Sequence, residues 1–397
     1  MSTIGQTRGR LAIVLSHPTQ YYSPWFQWLR ASTGLRFRVF YLWDFGVVAS
    51  HDPQFQRSIQ WDIDLLGGYD HELVPNVARA PGAEHFFGFD NPSLLGRIGR
   101  WQPDCILLFG YHWAAHLRVV AWARGRNIPV LFRGDSHLIG RPPPRVHVLA
   151  LLHLLFSQFS GFLYVGAANR EYFARFGVPP ERLFFCPHSV NGAFFNPEAD
   201  WIRERTRALR ARIGIGPATR VILFAGKLVA NKQAMELMIA FRVLGPRDAV
   251  LVFVGDGPEK PRLQAVAAES GQKNIRFLPF ANQTDMPACY QIADVFVLPS
   301  LSETWGLAVN EAMSMGVPCI VSDRAGCQRD LVDHGHTGWT FDPGRPGALA
   351  AVLGEALDLL DDEARSADMR RSVAARISRY SYARTTEGLI QALESLD

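Results

Sequence analysis

Short apolar runs alternate with stretches of helical periodicity along the whole chain. In the first half the runs fall at 11–15, 37–42, 105–109, 130–132, 162–165 and 183–186. In the second half they fall at 221–225, 250–254, 275–278, 295–298, 319–321 and 338–341. Such runs, bounded by turn formers and separated by helix-length gaps, predict buried parallel strands joined by helices. The alternation predicts an α/β chain with two doubly wound, Rossmann-like domains. A turn-rich stretch at 188–197 divides the two sets, and a charged helix over 199–212 leads into the second. The expected organisation is therefore a first domain over 1–190, a second over 191–375, and an amphipathic C-terminal helix within 376–397.

Length agrees with this division, because 397 residues exceed one ordinary core. A composition 48% hydrophobic and 20% charged is that of a globular chain. The five cysteines, Cys105, Cys186, Cys289, Cys319 and Cys327, are odd in number and contain no Cys-x-x-Cys pair. They predict buried thiols in a reducing compartment, neither a disulfide framework nor a zinc site. The polar stretch 1–10 lacks the apolar core of a signal peptide, so a cytoplasmic location is expected.

Charge separates the halves. Residues 1–190 hold 18 Arg, no Lys and 12 acidic residues, a balance of +6, whereas the remainder balances at −2. A basic first half suits an anionic acceptor or membrane surface; no basic helix, zinc finger or RNA-binding signature points to nucleic acid. Two tempting features are set aside. Asp62-Ile63-Asp64 imitates a metal-binding Asp-x-Asp, but its alternating surroundings predict one exposed strand face. The run 146–165 approaches membrane-span length, yet His147, His153, Ser157, Gln158 and Gly161 interrupt it. It predicts a buried or interfacial helix followed by a strand, with shallow membrane contact left open.

The strongest chemical signal is Ser300-Leu301-Ser302-Glu303-Thr304-Trp305-Gly306-Leu307-Ala308-Val309-Asn310-Glu311. It follows the run 295–298, so Glu303 belongs to a strand-to-helix loop and Glu311 to the helix about two turns on. The amides of Gly306 and Leu307 then lie at a helix N-terminus, where the dipole favours an anion. The plainer alternative is a helix-end charge and a solvated face residue. The phrase resembles the Glu-x7-Glu signature of family 4 (group 1) glycosyltransferases, retaining enzymes of the GT-B fold that use nucleotide-sugar donors. Ala293 to Ser300, Gly316-Val317-Pro318 and Gly335-His336-Thr337-Gly338 match the same family.

The resemblance implies two Rossmann-like domains facing a central cleft, with the final helix crossing back to the first. Lys227 and Lys232, in Gly226-Lys227-Leu228-Val229-Ala230-Asn231-Lys232, would meet the donor diphosphate. Family members usually carry Arg where this chain has Lys227, so the two-pronged grip of a guanidinium is lost there. Gly255-Asp256-Gly257-Pro258 would be a structural turn, and Ala281, in the loop 280–283, would lie against the nucleobase. Glu311 would hold ribose hydroxyls and Glu303 the donor sugar. In the first domain, Ser16-His17-Pro18-Thr19-Gln20-Tyr21-Tyr22 replaces a common Gly-rich loop, making His17, Gln20 and Tyr21 acceptor-side candidates; an ordinary turn capped by Thr19 is the alternative. Arg133 stands where several relatives have a His, with Asp135 or His137 able to supply that contact; alternatively Arg133 and Asp135 pair as a loop clamp. Glu303, Lys232, Arg133 and Asp135 are thus the expected catalytic set.

The implied substrates are a UDP-, GDP- or ADP-sugar and a hydroxyl acceptor such as a lipid-linked glycan, with no cofactor or obligatory metal. Polysaccharide or glycolipid synthesis at the inner membrane face follows from family habit. Two other functions share this pattern. A nucleotide-sugar epimerase or hydrolase would form product without an acceptor, and a non-catalytic sensor or scaffold would bind donor without turnover.

Overall fold

The apolar runs are buried parallel strands in the structure, a computed structural model that describes residues 9–52, 54–245 and 247–396. The chain packs as two units. The first comprises residues up to Ser50, Ile59–His188 and the segment from Tyr382 onward; the second comprises His51–Ser58 and Ser189–Ser381.

The strands of the first half are β1 (Arg10–Leu15), β2 (Arg36–Tyr41), β3 (Ser50–Asp52), β4 (Arg57–Ile59), β5 (His71–Leu73), β6 (Cys105–Phe109), β7 (Val130–Arg133), β8 (Gly161–Tyr164) and β9 (Leu183–Phe185). Seven of them form one sheet in the order β5-β2-β1-β6-β7-β8-β9, and its pairings are parallel. Five consecutive residues of β1 and all five of β6 are buried, as expected of strands covered on both faces. The helix Tyr382–Glu394 packs on this unit. The Trp25 indole donates to Thr386 Oγ1 at 3.0 Å, and Thr385 Oγ1 donates to the Pro187 carbonyl at 2.9 Å.

The second half contributes β10 (Arg220–Ala225), β11 (Ala249–Val254), β12 (Ile275–Leu278), β13 (Val295–Leu298), β14 (Cys319–Ser322) and β15 (Gly338–Phe341). They form a parallel sheet in the order β12-β11-β10-β13-β14-β15. The strand order reverses between β10 and β13. The loops leaving those two neighbouring strands therefore diverge onto opposite faces and open a crevice at their carboxyl ends, the usual ligand position in such sheets.

Several expectations are corrected. Residues 62–64 form no strand: Asp64 Oδ1 accepts the Leu66 and Gly67 amides at 3.0 and 2.8 Å, closing a turn. Those two backbone bonds hold the Asp64 carboxyl below its usual pKa. The strands β3, β4 and β5 have three residues each and no apolar run to announce them. The stretch 146–165 is a helix, Val146–Phe156, followed by β8, but only Phe156 of that helix is buried. Val146, Leu151 and Leu154 are more than half exposed. Among the described residues no helix is long and apolar enough to cross a membrane.

Candidate functional site

The switch point of the second sheet gathers the charged residues singled out from the sequence. After β10 the chain passes Gly226 at φ +154° and makes a 3-10 turn, Ala230–Lys232. After β13 it runs through Ser300 to Gly306 and enters the helix Leu307–Ser314. Two bonds stitch these loops together: the Leu301 amide donates to the Asn231 carbonyl at 2.9 Å, and Asn231 Nδ2 to the Ser302 carbonyl at 2.8 Å. This stitching brings the Lys232 ammonium onto the Glu303 carboxylate, and the two side chains are 22% and 20% exposed. A pair at that depth is neither screened like a surface bridge nor fully desolvated.

Gly306 cannot be replaced cheaply. It caps the helix at φ +105°, and a Cβ there would lie 2.8 Å from Leu298 Cδ2 and 3.3 Å from Cys327 Sγ. Leu307 opens the helix immediately after it, so the helix N-terminus follows Glu303 in the same loop.

Glu311 departs from expectation. Its place in the sequence predicts a carboxylate open to the site, but the residue is 4% exposed on the inner side of that helix, where Tyr290 Oη donates to its Oε2 at 2.6 Å. Burial pushes its pKa up to about 7, against the opposing effect of the Tyr290 hydrogen bond.

The glycine turn after β11 supports the lysine loop from beneath. A Cβ on Gly255 would lie 2.0 Å from the Gly226 carbonyl oxygen, and one on Gly257 2.5 Å from that of Leu228. Only glycine permits this backbone contact. Leu228 N donates to Asp256 O, and Glu259 N to Leu228 O, each at 2.9 Å. Lys227 has partners of its own: its Nζ donates to Asp52 Oδ2 at 3.1 Å and Gln54 Oε1 at 2.8 Å. Ala281 lies in the loop after β12, where with Phe280, Arg205, Asp285 and Cys289 it lines a cavity of about 320 Å³.

The first unit treats its candidates differently. His17 is wedged edge-on between Trp43 and Phe45, with ring centroids 5.9 and 5.4 Å away. Burial lowers its pKa to about 4, so it is neutral at physiological pH. Thr19 Oγ1 accepts the Tyr22 amide at 3.2 Å, which makes the loop a capped turn. Gln20 and Tyr21 are half-buried on it.

Arg133 feels the charge of Asp135, yet its hydrogen bonds anchor it elsewhere. The residue is 1% exposed, and its guanidinium donates to the carbonyls of Cys186 and Pro187 at 2.6 and 3.3 Å. The rings of Tyr22, Trp25 and Phe109 surround it at 5.7 to 5.9 Å. It therefore ties the end of β7 to the 186–187 backbone. Asp135 instead lies 3.6 Å from His188 Nε2 and keeps a side chain 39% exposed. Burial lowers the His188 pKa, while Asp135 opposes that shift. His137 is buried, its Nδ1 accepting the Ile139 amide at 3.1 Å.

Sequence reasoning missed Tyr290, His188, Asp52 and Gln54. Tyr290 and His188 lie within an ordinary helix pattern and a turn-rich linker, and neither context carries a signal.

A profile described as glycosyl transferases, group 1, matches residues 206–376. The chain is similar to a D-inositol 3-phosphate glycosyltransferase of Pseudarthrobacter chlorophenolicus, 31% identical over 223 residues, covering 54% of this chain and 50% of the relative. It is also similar to the sulfoquinovosyl transferase SQD2 of Arabidopsis thaliana, 27% identical over 274 residues, covering 64% and 50%. The chain thus spans about half the length of the curated relatives it matches. Among solved structures, Anabaena HepE in complex with UDP and glucose superposes with a TM-score of 0.71 at 17% identity, covering 98% of this chain and 100% of that one. The matched segment contains Lys232, Glu303, Gly306 and Glu311; over that segment the chain is similar to the group 1 glycosyl transferases, and it has the GT-B fold.

Proposed function

We propose that this chain is a retaining glycosyltransferase that moves a sugar from a nucleoside diphosphate to a hydroxyl acceptor. The observation that carries this reading is the Lys232–Glu303 pair beside the Gly306-capped helix, at the switch point of the second sheet. A diphosphate set against the Gly306 and Leu307 amides meets a helix dipole and the Lys232 ammonium together. Lys227 adds charge from the same loop, and the 280–283 loop receives the base. Glu311 accepts ribose hydroxyls in its carboxylate form, with Tyr290 fixing its orientation. Glu303 faces the sugar, where positive charge develops as the bond from the anomeric carbon to the phosphate oxygen breaks. The acceptor oxygen forms the new bond on the same face, and its proton passes to the departing phosphate oxygen. That route needs no side-chain base, only charge stabilisation and positioning.

Two features support an acceptor presented at an anionic surface on the cytoplasmic side, such as a lipid-linked glycan: the arginine-rich first half and the exposed Val146, Leu151 and Leu154 beside Arg141 and Arg145. The donor test is a thermal-shift panel of UDP-, GDP- and ADP-sugars, since a ligand that binds only the folded state raises apparent stability. One nucleotide class should stabilise the protein. Transfer to hydroxyl acceptors is then assayed with that donor, reading the anomeric configuration of the product. An inverted product would overturn the retaining assignment. Product formed at full rate without acceptor would replace transfer with hydrolysis or epimerisation.

A further inference from the structure

The segment His51–Ser58 belongs to the first half of the sequence but packs with the second unit. Its strands β3 and β4 form a two-stranded sheet, and its turn passes through Gln56 at φ +53°. Asp52 is the fixed point of this hairpin. Its Oδ1 accepts the amides of Gln54 and Phe55 at 2.8 and 3.0 Å, leaving Oδ2 for Lys227. Gln54 Oε1 accepts a second hydrogen bond from the same ammonium, which also lies 5.0 Å over the Phe55 ring.

The other end of the hairpin grips the base loop. Phe55 meets Phe280 edge to face at 5.0 Å, and Arg57 lies 4.8 Å over the same Phe280 ring. Arg57 also pairs with Asp256 Oδ2 at 3.1 Å, the oxygen that accepts the Phe280 amide at 3.0 Å. One short hairpin thus holds both the loop carrying Lys227 and the loop carrying Phe280 and Ala281. Neither glycine turn nor helix dipole can do this for Lys227, because its charge sits on a flexible four-carbon stem.

We propose that the hairpin His51–Ser58 is a positioning element of the nucleotide-sugar site, in which Asp52 and Gln54 hold Lys227 in place for the diphosphate while Phe55 and Arg57 fix the Phe280 loop for the base. This rests on the reading that the 226–232 loop receives the diphosphate. The residue type at 227 sets what the hairpin must supply. A guanidinium is planar and carries its donors in a rigid fork, so little freedom is lost when it binds phosphate. An ammonium carries three rotatable N–H donors. Asp52 and Gln54 engage two and leave the third directed, supplying in two external acceptors the rigidity an arginine carries within itself. The carboxylate reduces the net charge offered to phosphate; the account requires the gain in order to exceed that loss.

The test is calorimetric titration of the full chain with UDP, GDP and ADP, continued with whichever binds most tightly. Lys227→Ala should lose affinity, and Asp52→Ala should weaken binding about ten- to a hundredfold, the worth of one hydrogen bond to a charged group. In transfer assays Asp52→Ala should raise the donor KM with kcat at saturating donor nearly unchanged. Lys227→Arg should make the hairpin acceptors dispensable, so that adding Asp52→Ala to it changes affinity less than about twofold. Should Asp52→Ala prove poorly folded, Gln54→Ala, at an exposed position, is taken through the same cycle. Tighter binding in Asp52→Ala would show a carboxylate competing with phosphate and overturn the proposal. So would an equal penalty for Asp52→Ala in the wild-type and Lys227→Arg backgrounds. If Lys227→Ala binds as the wild type does, the diphosphate reading of that loop falls and the proposal with it. If Lys227→Ala loses affinity while Asp52→Ala and Gln54→Ala do not, the proposal alone falls.

Discussion

The loops at the carboxyl ends of the two sheets face the same physical problem and solve it oppositely. In the second unit they keep charge near the surface: Lys232 and Glu303 are each about one-fifth exposed, and glycines bring backbone against backbone around them. In the first unit Arg133 and His17 are set among aromatic rings, and His137 is buried. Arg133 and His137 are 1% exposed, and His17 is held neutral between two rings. The loops of the second unit hold formal charge and left-handed glycines at fixed spacing. A loop that must shape a surface for another ligand can be built from rings, and its polar residues then serve the scaffold. Substitution in the second unit should therefore change binding and turnover, whereas in the first it should change folding.

The largest effect expected on the second side is that of Glu303→Gln. Removing its charge should lower turnover between about a hundred- and a thousandfold, the range for one preorganised electrostatic group, with nucleotide affinity almost retained. Steady-state kinetics beside nucleotide titration reads both, and full activity would remove Glu303 from the chemistry.

Arg133→Met probes the other side. It strips the Cys186 and Pro187 carbonyls of a buried donor and should cost about 3 kcal/mol of stability, seen as an earlier urea midpoint. Nucleotide affinity of the folded protein should be unchanged. A selective loss of donor affinity with stability intact would mean that the first unit handles the donor directly.

Glu311 gives a smaller, pH-dependent signal. Its carboxyl has a folded pKa of about 7 against an ordinary 4.5, raised by burial. The protonated form is thus favoured by folding. The resulting stability is fully present below about pH 4.5 and is lost as pH rises through 7. Under the proposed ribose role of Glu311 the carboxylate is the binding form, so donor affinity should rise over the same interval. Tyr290→Phe, which removes the hydrogen bond that lowers this pKa, should move that rise to higher pH. Glu311→Ala should abolish the Glu311-dependent rise and increase the donor KM. A profile unchanged in both variants would dissociate Glu311 from the nucleotide.

The contrast also explains what the sequence disclosed. Buried parallel strands must be nearly continuous apolar runs, so β1, β6, β10 and β13 were visible without any partner. The strands β3 and β4 have mixed, largely exposed residues and left no such trace. Lys232, Glu303 and Gly306 were legible because their residue types and spacing fall within single loops. Asp52 and Lys227 stand 175 residues apart, and no local pattern announces a pair of that separation. Arg133 shows the same limit: its carbonyl partners stand 53 and 54 residues away, and no local pattern announces them.

The central claim is that donor recognition resides in the second unit's charged loops. The most direct measurement is calorimetric titration of the preferred nucleoside diphosphate into three proteins: wild type, Lys232→Ala and His17→Phe. Loss of a phosphate partner at Lys232 should weaken binding by about 1.5–3 kcal/mol, while His17→Phe should bind as the wild type does. Equal affinity in wild type and Lys232→Ala, or an equal loss in His17→Phe, would contradict the account.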